Sequence, residues 1–305
     1  MRRRLGPICA LSLLAGLALV LGCGNAKLTQ AKKFQTEKNY EQAIQYYKLA
    51  LDDDPENQTA RYGLIETYAQ QVIDQGAQKM TPEDVEKVMA ELRPVSQPLM
   101  SDPNIKRNVS MIYQMLAKRY AEQGRHDLTA ESWAKVIEIE PTFAEAHFNC
   151  GLALSLTGKN EDALPYFQKS VNLNPYFVKG YHAMGDALLK LARYEEAVQQ
   201  YQKALELNPD DPTVHHNLGL TYFRSGNSEK AAVEYNRALE IEPNYALAYK
   251  SLHELYEKAG DKKKLAEIDA KWKEMTEKLL QAVREKQALS EQEKGAEGAD
   301  AAKEL

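Results

Sequence analysis

Six histidines and three cysteines hold most of the chemical potential of this 305-residue chain. His215 and His216 are neighbours, and His182 precedes His216 by 34 residues. Imidazoles are common metal ligands, but a tetrahedral site needs further donors. No Cys or carboxylate falls at a helical spacing that completes the set. Cys150 lies among apolar residues that recur along the chain, so it reads as a packed thiol rather than a nucleophile. The chain has no Gly-rich phosphate loop, HExxH, CxxC or GxSxG. The sequence therefore predicts no catalytic residue, no metal site and no cofactor. A net charge of −5, with no basic stripe interleaved with aromatics, predicts no nucleic-acid partner.

What positions these residues is a repeat. ALELNPDD (204–211) returns as ALEIEPNY (238–245), and Pro141, Pro175, Pro209 and Pro243 are separated by equal steps of 34. In the same register come Leu116, Cys150, Met184 and Leu218, then Ala117, Gly151, Gly185 and Gly219, and later Trp133, Phe167, Tyr201 and Tyr235. Within each half of the repeat the apolar places are three or four apart, which puts them on one face of a helix. Gly124, Gly158 and Gly226 stand where the first helix must end, and Ala192 replaces glycine in the third repeat, leaving that turn less well specified. The small residues at 117, 151, 185 and 219 mark helix crossings, and proline stops the second helix. Each unit is a helical hairpin, apolar on two sides, that needs a neighbour to hide the second side.

This pattern resembles the tetratricopeptide repeat. The resemblance implies an all-α, right-handed α-solenoid of six or seven stacked hairpins. In that family the first helices line a concave groove. Carried residue by residue, the groove places are Gln114, Lys118, Ala121 and Glu122, then Phe148, Leu152, Ser155 and Leu156. The next two storeys supply His182, Asp186, Leu189 and Lys190, then His216, Leu220, Phe223 and Arg224. The histidines fit here as polar groove residues. Two readings of the apolar members stay open: packing between neighbouring first helices, or a surface for a partner's peptide or amphipathic helix. The Lys and Asn clamp of cochaperone members is absent, which argues against a chaperone-tail receptor.

The beginning of the chain reads differently. MRRR precedes the apolar run PICALSLLAGLALVLG, which ends at Cys23, the layout of a secretory signal. Val20–Cys23 (VLGC) resembles the lipobox of bacterial lipoproteins, with Leu21 bulkier than usual. The resemblance implies cleavage before Cys23, acylation of Cys23 as a membrane anchor, and, with Gly24 next, the outer membrane facing the periplasm. Residues 1–22 carry three Arg and no acid, so their removal makes the remainder more acidic. With Cys23 lipidated, Cys150 has no disulfide partner.

The expected organisation is a signal peptide over 1–22, a first repeat over 23–57, an irregular repeat or elongated hairpin over 58–109 and four regular repeats over 110–243. A terminal repeat with a long second helix follows over 244–289, and a structureless tail over 290–305. In the irregular stretch Thr81 is expected to cap a helix with Pro82 at its first position. Leu265, Ile268, Trp272, Met275 and Leu279 suit either a capping helix or a coiled-coil seam. Asn160 is the expected N-cap of the helix that holds Pro165. The function expected is a non-catalytic, membrane-anchored scaffold that binds envelope proteins in its groove. Assembly of a type IV pilus secretin is the specific role suggested. Polysaccharide export or another assembly factor, a periplasmic ligand binder and an enzyme-regulatory subunit are the alternatives.

Overall fold

The computed structural model describes residues 26–75, 90 and 100–301, and all regular structure among them is helical. The lipobox and the expected cap at Thr81 lie outside the described residues. The chain divides at Lys159–Asn160 into two compact units. The first holds α1 (26–36), α2 (Tyr40–Asp53), α3 (Gln58–Gln75), α4 (Pro103–Glu122), α5 (His126–Ile139) and α6 (Ala144–Leu156). The second holds α7 (Asn160–Leu173), α8 (Val178–Lys190), α9 (Tyr194–Leu207), α10 (Pro212–Arg224), α11 (Ser228–Ile241), α12 (Ala246–Ala259) and α13 (Lys262–Ala301). The fold is an all-α solenoid of helical hairpins.

In the second unit two hairpins are closed by an aromatic ring against a glycine. Tyr201 and Tyr235, on α9 and α11, are fully buried. A Cβ built on Gly185 would stand 2.6 Å from Tyr201, and one on Gly219 would stand 2.8 Å from Tyr235. Both distances are below any tolerable carbon–carbon contact, so α8 and α10 must lack a side chain where the rings cross them. The first unit uses the same device between successive hairpins: Gly63 of α3 lies against the ring of Tyr47 of α2.

The turns inside the hairpins share one geometry. After α8 the Arg193 N–H donates to the Leu188 carbonyl at 2.9 Å and the Ala192 N–H to the Leu189 carbonyl at 3.1 Å. After α10 the Asn227 and Gly226 N–H groups repeat this with Tyr222 and Phe223 at 2.8 and 3.1 Å. This paired closure needs a left-handed residue, supplied by Gly124, Gly158, Gly226 and Gly260. Ala192 adopts the same conformation, with φ 57, as does Lys38 in the first hairpin. The turn at Ala192 is therefore as well defined as the others, but it is strained.

Three boundaries depart from expectation. The helix that opens the regular array starts at Pro103, not at 110, because Asp102 caps it through the Asn104 and Ile105 amides and Pro103 fits its first turn. Asn160 is the first residue of α7 rather than its cap, so Pro165 falls in the second turn. The bond it gives up is still the one to the Glu161 carbonyl. Finally, α13 continues to Ala301, through the stretch expected to lack structure. Position 277, one repeat after Pro243, is Glu, so nothing stops the helix. The Ala, Glu, Lys and Gln that follow are strong helix formers, which extend a helix without an apolar face. Up to Met275, α13 caps the array: Ile268 is buried against α12, and Trp272 and Met275 pack beside it. Leu279 is exposed.

Three substitutions test these local rules. Gly185→Ala forces Tyr201 off its seat and is expected to destabilise the chain by about 1–3 kcal/mol. Ala192→Gly relieves the left-handed strain and is expected to stabilise it by up to about 1 kcal/mol, less the entropy that glycine adds to the unfolded chain. Gly226→Ala, with open space around it, should do the reverse. Thermal and urea denaturation followed by circular dichroism reads all three.

Candidate functional site

The groove positions separate by unit. In the first, α6 leaves Leu152 and Leu156 exposed, at 38% and 56%, while Phe148 is half-buried and Ser155 buried. On α4, Lys118, Ala121 and Glu122 are exposed and Gln114 is held by a bond from its Nε2 to Ser110 Oγ at 3.1 Å. Cys150 is buried with its Sγ 3.5 Å from the Ala130 carbonyl, a packed thiol as its surroundings suggested.

The first unit also contains a site that the sequence did not reveal. A cavity of about 870 Å³ opens between α1 and α3, with Lys32, Gln35, Tyr47, Tyr62, Glu66 and Asp102 in its walls. The Tyr47 hydroxyl donates to Gln35 Oε1 at 2.9 Å, and the Tyr62 hydroxyl to Asp102 Oδ1 at 3.2 Å. Burial pushes the Tyr47 hydroxyl up to about 12, with Glu66 adding to the rise, so it stays a donor. The signal was Gly63, a small residue on a helix face. The departure of 58–103 from the 34-residue register left it unaligned.

In the second unit the predicted residues split into a polar cluster and an open cavity. Asn217 Nδ2 donates to His182 Nε2 at 3.1 Å and to Asp186 Oδ1 at 2.9 Å, and the Tyr201 hydroxyl donates to the same carboxylate oxygen at 2.6 Å. Burial, then Asp186, raises the Tyr201 hydroxyl far above its ordinary range. His182 and Asp186 therefore tie α8 to α9 and α10. Two expected groove residues belong to the interior instead. Leu189 is buried, and so is His216, with its Nε2 3.0 Å from Ser251 Oγ and its ring against Tyr235 and Tyr245. His216 is covered by Tyr235 of its own hairpin, Tyr245 of the next turn and Ser251 of the next first helix.

Leu220, Phe223 and Arg224 do meet at one site. With Leu255 and Lys258 they line a cavity of about 590 Å³ between α10 and α12. The Lys258 ammonium sits 4.9 Å above the Phe223 ring and 2.8 Å from Glu254 Oε1. Lys190 is exposed at the end of α8, where Arg224 ends α10.

His215 has a structural task that its sequence position hid. Its Nε2 donates to the Pro209 carbonyl at 3.0 Å, and its Nδ1 lies 2.7 Å from Glu234 Oε2. His147 Nε2 reaches the Pro141 carbonyl at 2.9 Å, and the Tyr249 hydroxyl the Pro243 carbonyl at 3.2 Å. In three storeys a polar side chain thus latches the start of a first helix to the proline turn before it. The carbonyl it binds belongs to the residue that stops the previous helix. Among the described residues no group of three His, Cys, Asp or Glu is placed to hold a metal ion. No described helix is long and apolar enough to cross a membrane.

Comparison with known proteins gives the repeats their family. Models described as tetratricopeptide repeats match residues 35–75, 115–176, 185–226 and 221–260. The crystal structure of the MamA protein is similar at 25% identity and a TM-score of 0.53, over 57% of this chain and 94% of that one. MamA residues 41–end from Desulfovibrio magneticus RS-1 match at 22% identity and 0.52, over 56% and 96%. YrrB, described as a TPR protein with an unusual peptide-binding site, matches at 19% and 0.50, over 67% and 96%. At these identities the last two show the fold alone. A comparison with curated proteins finds no match.

Two histidines make stability depend on pH in opposite directions. Burial lowers the pKa of His216, so the unfolded chain takes up a proton more readily than the folded one. Its contribution is complete above about pH 6.5 and is lost as pH falls below it. The Asp269 carboxylate, 2.7 Å from His253 Nδ1, raises that residue's pKa, so its contribution is complete at low pH and fades as pH rises. The drop in melting temperature between about pH 7.5 and about pH 5.5 should therefore shrink in His216→Asn and grow in His253→Asn. Equal pH profiles for the two variants would contradict the assignment.

Proposed function

We propose that this chain, whose hairpins are tetratricopeptide repeats, is a non-catalytic scaffold that binds segments of partner proteins on the concave side of its first helices. The cavity over Leu220 and Phe223 carries the reading. It leaves the apolar Leu220 and Phe223 partly open, among charged neighbours, at places where the family's first helices face a partner. Leu152 and Leu156 offer a comparable surface in the first unit. The peptide-binding site ascribed to YrrB is an analogy for this mode and supplies no residues.

The scaffold's place is the bacterial cell envelope, with Cys23 acylated and the array facing the periplasm from the outer membrane. This rests on VLGC and the apolar run before it. Helix α1 already includes residue 26, so the tether from Cys23 would be short. The specific role that this layout suggests is assisting a secretin subunit during type IV pilus assembly. Polysaccharide-export and other assembly roles share the scaffold and differ in partner. A periplasmic ligand binder or enzyme-regulatory subunit would use the cavity over Tyr47 and Tyr62 instead.

Cys23→Ala is expected to move the protein from the membrane fraction to the soluble fraction. Unchanged fractionation would remove the anchor. Leu220→Glu and Phe223→Glu, with helicity unchanged by circular dichroism, are expected to weaken binding to a purified secretin subunit about tenfold or more. A secretin that does not bind the unaltered chain would end the pilus role. Binding indifferent to both substitutions would move the partner site elsewhere.

A further inference from the structure

The cavity between α10 and α12 also indicates what kind of segment enters it. This step rests on the groove reading above. Lys190, Arg224 and Lys258 occupy one place in three consecutive storeys, each in the last turn of a first helix. All three are exposed. A cation at a helix C-terminus is favourable in itself, which accounts for part of the pattern. The surroundings of Arg224 and Lys258 go further. Both border an apolar floor of Leu220, Phe223 and Leu255. Lys258 is held over the Phe223 ring by its pairing with Glu254.

The single carboxylate at this site is outnumbered. The bond from Lys258 holds the Glu254 carboxyl below its ordinary range, and the charges of Lys258, Lys250 and Arg224 add to the effect. Asp186, in the storey before, is engaged by Tyr201 and Asn217. The cavity is thus basic on a chain whose net charge is −5.

We propose that the occupant is an acidic segment of a partner protein in the polyproline II conformation, with a carboxylate at every third residue and a large apolar side chain between. The spacing follows from two lengths. First helices of adjacent storeys touch, as His216 with Ser251 and Asn217 with His182 show, which sets their axes about 8–10 Å apart. A polyproline II chain advances about 3.1 Å per residue with three residues per turn, so every third side chain faces the same way and three residues carry it from one cation to the next. The apolar side chain drops onto Leu220 and Phe223, and the carboxylates meet Lys190, Arg224 and Lys258. Complementary charge of this kind governs which segment binds and makes binding sensitive to salt.

Fluorescence anisotropy with the full-length protein in mild detergent tests this. The probe is a labelled seven-residue peptide, capped at both ends so that no terminal carboxylate contributes. It carries Asp at its first, fourth and seventh places and Leu at its second and fifth. Binding is expected to weaken about tenfold or more between about 50 mM and about 500 mM salt, and by a similar factor in the Arg224→Glu/Lys258→Glu double variant. Lys203→Glu, on the second helix α9, should leave it unchanged. The same peptide with Asn for Asp, or with Asp at every second place, should bind at least about fivefold more weakly. The proposal is overturned if the Asn peptide binds equally well, if charge reversal is silent, or if the acidic peptide does not bind at about 1 mM. Should it fall while Phe223→Glu still abolishes partner binding, the groove reading stands without it. If Phe223→Glu is silent as well, both fall together.

Discussion

The fit of an aromatic ring onto a bare stretch of helix backbone is the constraint on which the second unit depends. Tyr201 on Gly185 and Tyr235 on Gly219 set how closely the two helices of a hairpin approach. That approach decides where the first helix points its other side chains. Asp186 is within reach of the Tyr201 hydroxyl because α8 lies so near α9. Asn217 can bridge His182 and Asp186 because α10 stacks on α8 with the same spacing. The open cavity over Leu220 and Phe223 is what remains of the first-helix surface after these contacts are made.

A second constraint concerns the backbone at the turns. Each hairpin needs a left-handed residue within it and a stop between it and the next. Glycine serves the first need at four turns, while Ala192 and Lys38 serve it under strain. Proline provides the stop, and the carbonyl of that proline is then caught by His147, His215 or Tyr249. The latch turns a helix terminator into a fixed point for the next storey, because the proline carbonyl accepts a bond from the helix that follows. At position 277 the terminator is missing and the helix runs on.

Much of this was legible in the sequence because the fold is periodic. The equal proline steps, the glycine register and the aromatic register are each a packing rule written several times, so the fold class, the crossings and the turn glycines could be read directly. Less legible were places where the rule is written once. The cavity over Tyr47 and Tyr62 depends on Gly63, which lies in a stretch that leaves the 34-residue register. The burial of His216 depends on Tyr235, Tyr245 and Ser251 from three other elements, and no single helix pattern carries that contact. The adjacency of His215 and His216 in the sequence does not say what each one touches. On a helix, adjacent residues point about 100° apart, and these two serve different neighbours. Composition beyond Ser290 lacks an apolar period, but helix propensity needs none.

The seating of Tyr201 on Gly185 is tested most directly by a double-mutant cycle on thermodynamic stability. If the ring and the missing side chain occupy the same space, Gly185→Ala is strongly destabilising with Tyr201 present and nearly neutral once Tyr201→Leu has vacated that space. The coupling should then amount to about 1–3 kcal/mol. Strictly additive effects, with Gly185→Ala equally harmful in both backgrounds, would contradict the packing from which the rest of the second unit is built.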